Sequence, residues 1–208
     1  RCSRDWSSDV CSSDLPYAHT KQIGEEILKN FFVANPSFRA ISLRYFNPAG
    51  AHSSGKNGEL PIGKPSNLVP AITQFAIGKI SSLLVHGTDY PTRDGSCIRD
   101  YVHVSDVARA HVLALQKLRS IGQGFYDCYN LGTGNGVTVL EAIEAFEKST
   151  QKKLNYEIGP RRVGDVIEIY SNNQRAEHEL NWKPQHGIEE IMRSAWAWEK
   201  HLAENSNS

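Results

Sequence analysis

The chain has 208 residues, of which 39% are hydrophobic and 22% are charged; this suits one globular domain or part of a larger one. Lysine plus arginine and aspartate plus glutamate both number 23, so the formal net charge is zero. That balance argues against a nucleic-acid or polybasic membrane partner, and no apolar run approaches the ~20 residues of a membrane-spanning helix.

The first fifteen residues, RCSRDWSSDVCSSDL, are dense in serine, aspartate and cysteine and show no helix or strand period. One interpretation is a disordered tail without a signal peptide. The other is a non-native segment, because back-translation of DWSSDVCSSD resembles a common sequencing-library adapter. The chain would then be truncated upstream of Pro16. We interpret Cys97 and Cys128, which form no CxxC pair, as reduced cytosolic thiols and expect no metal site.

From Pro16 onward the pattern alternates between helices and strands. Pro16 suits the first turn of a helix, which ends at Asn35-Pro36. AISLRYF at 40–46 predicts a buried strand, and the glycine- and proline-rich stretch after it predicts a long loop. We expect Asn67 to cap a helix that runs to about Lys79.

The remaining elements continue this alternation. SLLVHG, RDYVHV, CYNLG and KLNYEIG predict strands, and PRRVGD predicts a loop. We expect Ser105 to cap one helix, and Thr138 with Glu141 to form a capping box for another. Two last helices are predicted near 174–180 and 188–202. The alternation indicates an α/β protein, and GTGNG at 132–136 has the wrong spacing for a dinucleotide fingerprint.

Tyr17 and Lys21 lie four residues apart at the start of the first predicted helix, so they share one helix face. An ammonium group near a phenol favours the phenolate and lowers a pKa that starts at about 10. Such a tyrosine can exchange a proton with a sugar hydroxyl near neutral pH. The pair alone could equally be an exposed pair on a surface helix.

The context of this pair resembles the UDP-glucose 4-epimerase family of the extended short-chain dehydrogenase/reductase superfamily. Seven segments that span nearly all of 16–184 carry the resemblance, in the order of the family: PYAHTK, RYFNPAGAHSSG, NLVPAITQFAIG, GTDYPTRDGSCIRDYVHVSDVARAHVLAL, YNLGTGNGVTVLE, PRRVGD and ELNWKP. Related sugar-nucleotide dehydratases and decarboxylases usually carry an R-x-x-N-x-Y-G-P-type segment where this chain has RYFNPAGA, which favours the epimerases.

The resemblance implies the C-terminal part of a Rossmann-like doubly wound fold plus a smaller mixed α/β substrate-binding lobe. Residues 16–50 would be the trailing edge of the NAD-binding domain. Residues 51–208 would mainly form the UDP-sugar-binding lobe, with some elements returning to the sheet. The glycine-rich NAD loop and the serine of the family's Ser-Tyr-Lys triad have no counterpart here, so we expect this polypeptide itself to be inactive.

The implied activity is NAD-dependent interconversion of UDP-glucose and UDP-galactose by transient oxidation at C4. The implied protein is cytoplasmic and, in its full-length form, a homodimer. Two alternatives stay open: an NAD-dependent UDP-sugar dehydratase or decarboxylase, and a non-catalytic UDP-sugar-binding fragment.

Roles for single residues follow from the same resemblance. Tyr17 would be the acid/base and would also contact the cofactor. Lys21 would tune it and bind the nicotinamide ribose, and Tyr45 and Phe46 would line the nicotinamide. The implied UDP-sugar contacts are Asn47, Asn67, Leu68, His86, Arg99, Arg162, Asp165 and Ile169.

Within that set, Arg99 and Arg162 would bind the diphosphate, whose roughly two negative charges suit guanidinium groups, and Asp165 would bind the uridine ribose. The alternative is surface salt bridging, of Arg99 with the adjacent Asp100 and of the arginine pair with Asp165.

Two positions depart from the family. His86 stands where the family is often aromatic beside the uracil. Ile169 stands where a tyrosine restricts the pocket to plain hexoses and smaller residues accompany N-acetylated ones, so we hypothesise partial tolerance of UDP-N-acetylhexosamines.

Overall fold

The computed structural model describes residues 16–162 and 164–205, with only the backbone for Pro16 and Tyr17. Residues 1–15, for which a tail or a non-native segment was predicted, lie outside the described residues. The helices are α1 (Pro16–Ala34), α2 (Leu68–Ala76), α3 (Val104–Ser120), α4 (Val139–Thr150), α5 (Gln174–Leu180) and α6 (Ile188–Asn205). The strands are β1 (Arg39–Tyr45), β2 (Asn47–Ala49), β3 (Leu84–His86), β4 (Ile98–Arg99), β5 (Tyr101–His103), β6 (Phe125–Leu131), β7 (Val137–Thr138), β8 (Glu157–Gly159) and β9 (Glu168–Ile169).

The longest strands, β1 and β6, pair in parallel in a register that runs from Arg39 opposite Phe125 to Tyr45 opposite Leu131. A parallel pair needs a long crossover, and α3 lies within it. A cluster that we call the sheet core joins this pair to α3 and α5. Its buried residues are Val102, Val107, Ala110, Tyr129, Leu131, Ala176, Leu180 and Trp182.

A second cluster, which we call the lobe core, lies where α2, α4 and α6 pack together. It includes Ile72, Phe146, Ile191 and Met192, all of which are fully buried. The parallel pair β3–β8 lies beside it and contributes Val85. The apolar faces of these three helices therefore pack against one another and are buried together.

Short strands connect the two cores. β2 pairs in parallel with β5, and β4 lies between the antiparallel β7 and the parallel β9. The predicted strand RDYVHV is thus two short strands, β4 and β5, which pair with different neighbours. The sequence pattern missed β7 and β9, because two residues are too few to show a period of two.

Helix ends separate the capping predictions. The capping box of Thr138 and Glu141 is confirmed, with both reciprocal hydrogen bonds present. The prediction for Asn67 was wrong: it occupies the N-cap position of α2, but its side chain makes no cap, and the helix ends at Ala76. The prediction for Ser105 was also wrong, because His103 is the N-cap of α3 and accepts the Ser105 amide. Among the described residues, no helix is both long and apolar enough to span a membrane.

Candidate functional site

Helix α1 brings the Tyr17–Lys21 pair towards the carboxyl end of β1. Arg44, near the end of β1, donates from Nε to Glu25 Oε1 at 2.7 Å, and a second guanidinium nitrogen bonds the other oxygen. Glu25 lies one helical turn after Lys21, and a residue adds about 1.5 Å along a helix. The Tyr17–Lys21 pair therefore lies beyond Arg44, at the carboxyl end of β1, which is the end of a strand where ligands bind in open α/β sheets.

The other face of the Glu25 turn meets β6. Tyr126 donates its hydroxyl to the Glu25 backbone oxygen at 3.2 Å, and burial is the main cause that raises the Tyr126 pKa to about 12. Together with Arg44, this contact fixes α1 to both long strands. Lys21 is exposed, and the Tyr17 side chain lies outside the described residues, so its predicted role stays a prediction.

Tyr45 lies at the same end of β1 and is 41% exposed. Its hydroxyl lies 3.0 Å from His111 Nε2, and His111 Nδ1 lies 2.9 Å from the Val107 carbonyl oxygen. A carbonyl only accepts, so His111 donates from Nδ1 and Nε2 accepts from Tyr45. Phe46 is half-buried, and its amide extends the ladder by bonding the Leu131 oxygen at 3.1 Å.

Three of the predicted substrate residues meet on β4, β9 and the turn before β9. Arg99 lies opposite Ile169 in the parallel register of these strands. Arg99 Nη2 lies 3.2 Å from Asp165 Oδ1, and the pair is half-buried, with side chains 19% and 26% exposed. Arg99 Nη1 also donates to the carbonyl oxygens of Ile98 at 2.8 Å and Val166 at 2.7 Å. The guanidinium is thus held in one orientation at the sugar-nucleotide candidate site.

Asn47 joins this group through the backbone. It lies opposite Tyr101 in the β2–β5 pair, and its amide donates to the Asp100 carbonyl oxygen at 2.9 Å. Asn47 therefore lies one strand away from Arg99, with its side chain half-buried.

The two consecutive arginines have different environments. Arg161 donates to Asp89 Oδ1 at 2.8 Å and to the Asp89 carbonyl at 2.6 Å, and its guanidinium lies 4.2 Å from the ring centre of buried Tyr90. The hydrogen bond from Arg161 lowers the pKa of Asp89. Arg162 is exposed and forms no ion pair within the part of the chain that the structure describes. Its carbonyl accepts the Asp165 amide at 3.3 Å, so both lie on one turn.

His86 is beside that turn. It lies opposite Gly159 in the β3–β8 pair, and its Nδ1 is 3.3 Å from the Pro160 oxygen. Gly87 follows with φ +76°, and a Cβ there would lie 2.6 Å from the Tyr90 ring. The Tyr90–Arg161 stack thus holds residue 86 and the arginine turn together.

Asn67 and Leu68 stand at the start of α2. Asn67 Nδ2 donates to Glu59 Oε1 at 2.7 Å, and Leu68 packs against the lobe core. Because Asn67 does not cap the helix, the first amides of α2 are left for water or another acceptor. No hydrogen bond among residues 16–162 and 164–205 joins these two residues to Arg99 or Asp165.

Sequence reasoning missed the residues that support the site. The salt-bridge alternative paired Arg99 with Asp100 and the arginines with Asp165, whereas Arg99 pairs with Asp165 and Arg161 pairs with Asp89. Within the described part of the chain, Asp100 instead accepts from backbone amides and hydroxyl groups. Residue spacing carried no signal for these partners, because they are distant in sequence. The described residues also contain no cluster that could hold a metal ion.

The model of the NAD dependent epimerase/dehydratase family matches residues 5–132, which is more than half of the chain. The chain belongs to this family. It is 50% identical over 186 residues to a bifunctional UDP-glucose 4-epimerase and UDP-xylose 4-epimerase of Pisum sativum, an alignment that covers 89% of the chain and 53% of the relative. It is 48% identical over 193 residues to the UDP-glucose 4-epimerase of Erwinia amylovora, with 93% and 57% covered.

A solved structure agrees with these relatives. The UDP-glucose 4-epimerase of Stenotrophomonas maltophila, with bound NAD and formylated UDP-arabinopyranose, superposes with a TM-score of 0.88 at 44% identity. The match covers 91% of this chain and 56% of that one. The predicted α/β fold class, part of a Rossmann-like protein, is confirmed. The chain spans about half the length of the curated relatives it matches.

The described residues fit one half of the family's NAD. At the carboxyl end of β1 the chain offers the exposed Lys21 ammonium and the exposed Tyr45 ring. An ammonium donates to ribose hydroxyls, and a ring packs on a nicotinamide, so these residues fit the nicotinamide-ribose half. No segment of 16–162 or 164–205 matches the G-x-G-x-x-G fingerprint for the pyrophosphate.

Proposed function

We propose that this sequence serves the NAD-dependent interconversion of UDP-glucose and UDP-galactose by transient oxidation at C4. The observation that carries the proposal is the meeting of Arg99, Asp165 and Ile169 on β4, β9 and the adjoining turn. Arg99, predicted for the diphosphate, contacts both of the others: its guanidinium pairs with Asp165, predicted for the ribose, and its backbone lies opposite Ile169, predicted for the sugar. Relatives at about half identity that are named as UDP-glucose 4-epimerases support the same activity.

The chemistry requires a nucleotide that is held tightly and a sugar that can turn over. Arg99 and Arg162 supply guanidinium groups for the diphosphate, and Asp165 supplies a carboxylate for the ribose. Ile169 offers the sugar only apolar surface, which has no directional hydrogen bonds. A hexose that loses its C4 hydrogen can therefore present its other face without breaking the nucleotide contacts.

Proton transfer belongs to Tyr17 and Lys21 in this proposal. Tyr17 takes the C4 hydroxyl proton and returns it, and the nearby Lys21 ammonium makes the phenolate easier to form. When bound, NAD would accept the C4 hydride, and the resulting NADH would return it to the opposite face of the 4-keto sugar.

The test of the activity uses a full-length version of this protein. Tyr17→Phe is expected to slow interconversion by on the order of 10²–10⁴-fold, because the acid/base is lost. UDP affinity, measured by calorimetry, should stay unchanged. Interconversion at the unmodified speed would refute the role of the tyrosine.

A second candidate is a non-catalytic UDP-binding module. All predicted UDP contacts lie between Asn47 and Ile169, within the described residues, whereas these residues match only the nicotinamide-ribose half of NAD. Calorimetric titration with UDP and with NAD separates the two: binding of UDP without NAD favours the module. Arg99→Ala should weaken UDP binding by about tenfold or more, because a charge-assisted contact is lost. Arg193→Ala, an exposed arginine paired with Glu190 on α6, is the matched control and should change nothing.

Three finer properties complete the proposal. Ile169 gives partial tolerance of UDP-N-acetylhexosamines; a version with Ile169→Tyr should lose that tolerance while its rate on UDP-glucose stays. The protein is cytoplasmic, in keeping with Cys97 and Cys128 as free thiols. The full-length form is a homodimer through α1, whose Ile23, Ile27 and Phe31 are 42%, 62% and 51% exposed.

A further inference from the structure

The Asp100 carboxylate is fully buried, and within residues 16–162 and 164–205 it pairs with no cationic side chain. Its Oδ1 accepts from the Thr133 amide at 2.7 Å and from Thr133 Oγ1 at 2.6 Å. Its Oδ2 accepts from the Gly134 amide at 3.1 Å and from the amide and hydroxyl of Ser171 at 2.9 and 2.7 Å. Five neutral donors thus converge on one charge, and they come from two loops that follow β6 and β9.

This arrangement fits a carboxylate and not its amide. Every partner donates, and an asparagine would turn an NH₂ group towards at least one of them. The approach is also close: a Cβ on Gly132 would lie 2.3 Å from Asp100 Oδ2 and 2.5 Å from Ser171 Oγ. Only glycine lets the loop after β6 pass the carboxylate at that distance.

Asp100 and its neighbour Arg99 fix opposite ends of the segment 165–171. Arg99 holds the first end through Asp165 and the Val166 carbonyl oxygen. Asp100 holds the last end through Ser171. Between them, Ile169 lies opposite Arg99 in the β4–β9 register.

We propose that Asp100 is a positioning residue of the UDP-sugar site, an inference that rests on the function proposed above. By holding Ser171, its carboxylate sets the spacing between Arg99, which binds the diphosphate, and Ile169, which faces the sugar. Its backbone oxygen accepts the Asn47 amide and so links Asn47 to this segment. Asp100 itself touches neither sugar nor nucleotide.

The test compares Ser171→Ala with Ser194→Ala in the full 208-residue chain. Both serines are buried, 5% and 6% exposed. Ser194 bonds the Ala51 amide and His103, away from the segment 165–171, so it is the matched control. Ser171→Ala should weaken UDP binding by about tenfold, the loss of one hydrogen bond to a charged group. It should also speed hydrogen exchange at amides of 165–171. Ser194→Ala should do neither, although it lowers the melting temperature by a similar amount.

Asp100→Asn should show the same effects more strongly; if it does not fold, Ser171→Ala decides. Unchanged UDP affinity and unchanged exchange at 165–171 in Ser171→Ala would overturn the inference. Equal loss of affinity in Ser194→Ala would also overturn it, because the effect would then be general destabilisation. Absence of UDP binding by the unsubstituted chain would instead count against the proposed function, and the exchange at 165–171 would still test the role of Asp100.

Discussion

The two cores of this molecule differ in how completely they enclose their apolar helices. In the lobe core, α2, α4 and α6 surround fully buried Phe146 and Ile191. Around the sheet core, by contrast, α1 and α3 keep large apolar side chains exposed, including Phe31 at 51% and Leu115 at 56%. The lobe helices therefore have internal partners for their apolar faces, while the sheet region attaches α1 through polar contacts such as Arg44–Glu25. The predicted nucleotide contacts of Arg99 and Asp165 lie by the better enclosed region.

The largest expected effect tests the lobe core directly. Phe146→Ala should lower the free energy of unfolding by about 3–5 kcal/mol, because the ring is fully buried and packs edge-on against Trp196. Urea unfolding followed by circular dichroism measures it. Phe31→Ala on α1 is the matched change and should cost less than about 1 kcal/mol, since half of its ring is already in water. Equal costs would remove the contrast between the two regions.

The next effect tests how α1 is attached. Arg44→Met should lower the free energy of unfolding by about 1.5–3 kcal/mol, because it leaves the half-buried Glu25 without its charged partner. Hydrogen exchange should rise in α1 before it rises in α4. A uniform rise across both helices would mean that the two regions unfold as one unit.

A smaller effect separates a true cap from a false one. Thr138→Ala should cost about 1 kcal/mol, because its hydroxyl caps α4 in the lobe. Ser105→Ala should cost less than about 0.5 kcal/mol, since His103 and not Ser105 caps α3. Thermal melts of both variants measure this difference, and a larger loss for Ser105→Ala would contradict the cap assignment.

The smallest effect depends on pH. Burial, and then the stacked His186 at 4.4 Å, lowers the pKa of His103, against the opposing pull of Asp106 and Glu190. The unfolded chain then takes up the proton first, so stability is present above a pH of about 6.5 and is lost as the pH falls below it. His103→Asn, which can still accept the Ser105 amide, should flatten this fall in urea midpoints between about pH 7.5 and 5.5. An unchanged slope would place the titration elsewhere.

Local signals in the sequence predicted the elements that depend on local interactions. The capping box gave the start of α4, and the helix predicted near 174–180 is α5, which has these bounds. Asn67 and Ser105 were misassigned because an N-cap residue type shows only what a side chain can do. The side-chain amide of Asn67 donates to Glu59 instead, and His103 caps α3 by accepting the Ser105 backbone amide.

The site was predictable only in part for a similar reason. The resemblance to known motifs gave Arg99, Asp165 and Ile169 as substrate residues, and the structure places them together. The supporting contacts join segments that are far apart in the chain, such as Asp100 with Ser171 and Arg161 with Asp89. Neither spacing nor residue type predicts such long-range pairings, so these contacts become visible only in the folded structure.

The Tyr90–Arg161 stack has a consequence for redesign. It supports the backbone at Gly87, where a Cβ would lie 2.6 Å from the Tyr90 ring. Among the described residues, the His86 side chain adds one hydrogen bond, to the Pro160 oxygen. The side chain of residue 86, predicted to lie beside the nucleobase, can therefore be exchanged while Arg161 keeps its contacts with Asp89 and Tyr90. If that prediction holds, libraries that vary residue 86 alone should change base preference and leave the predicted diphosphate contacts intact.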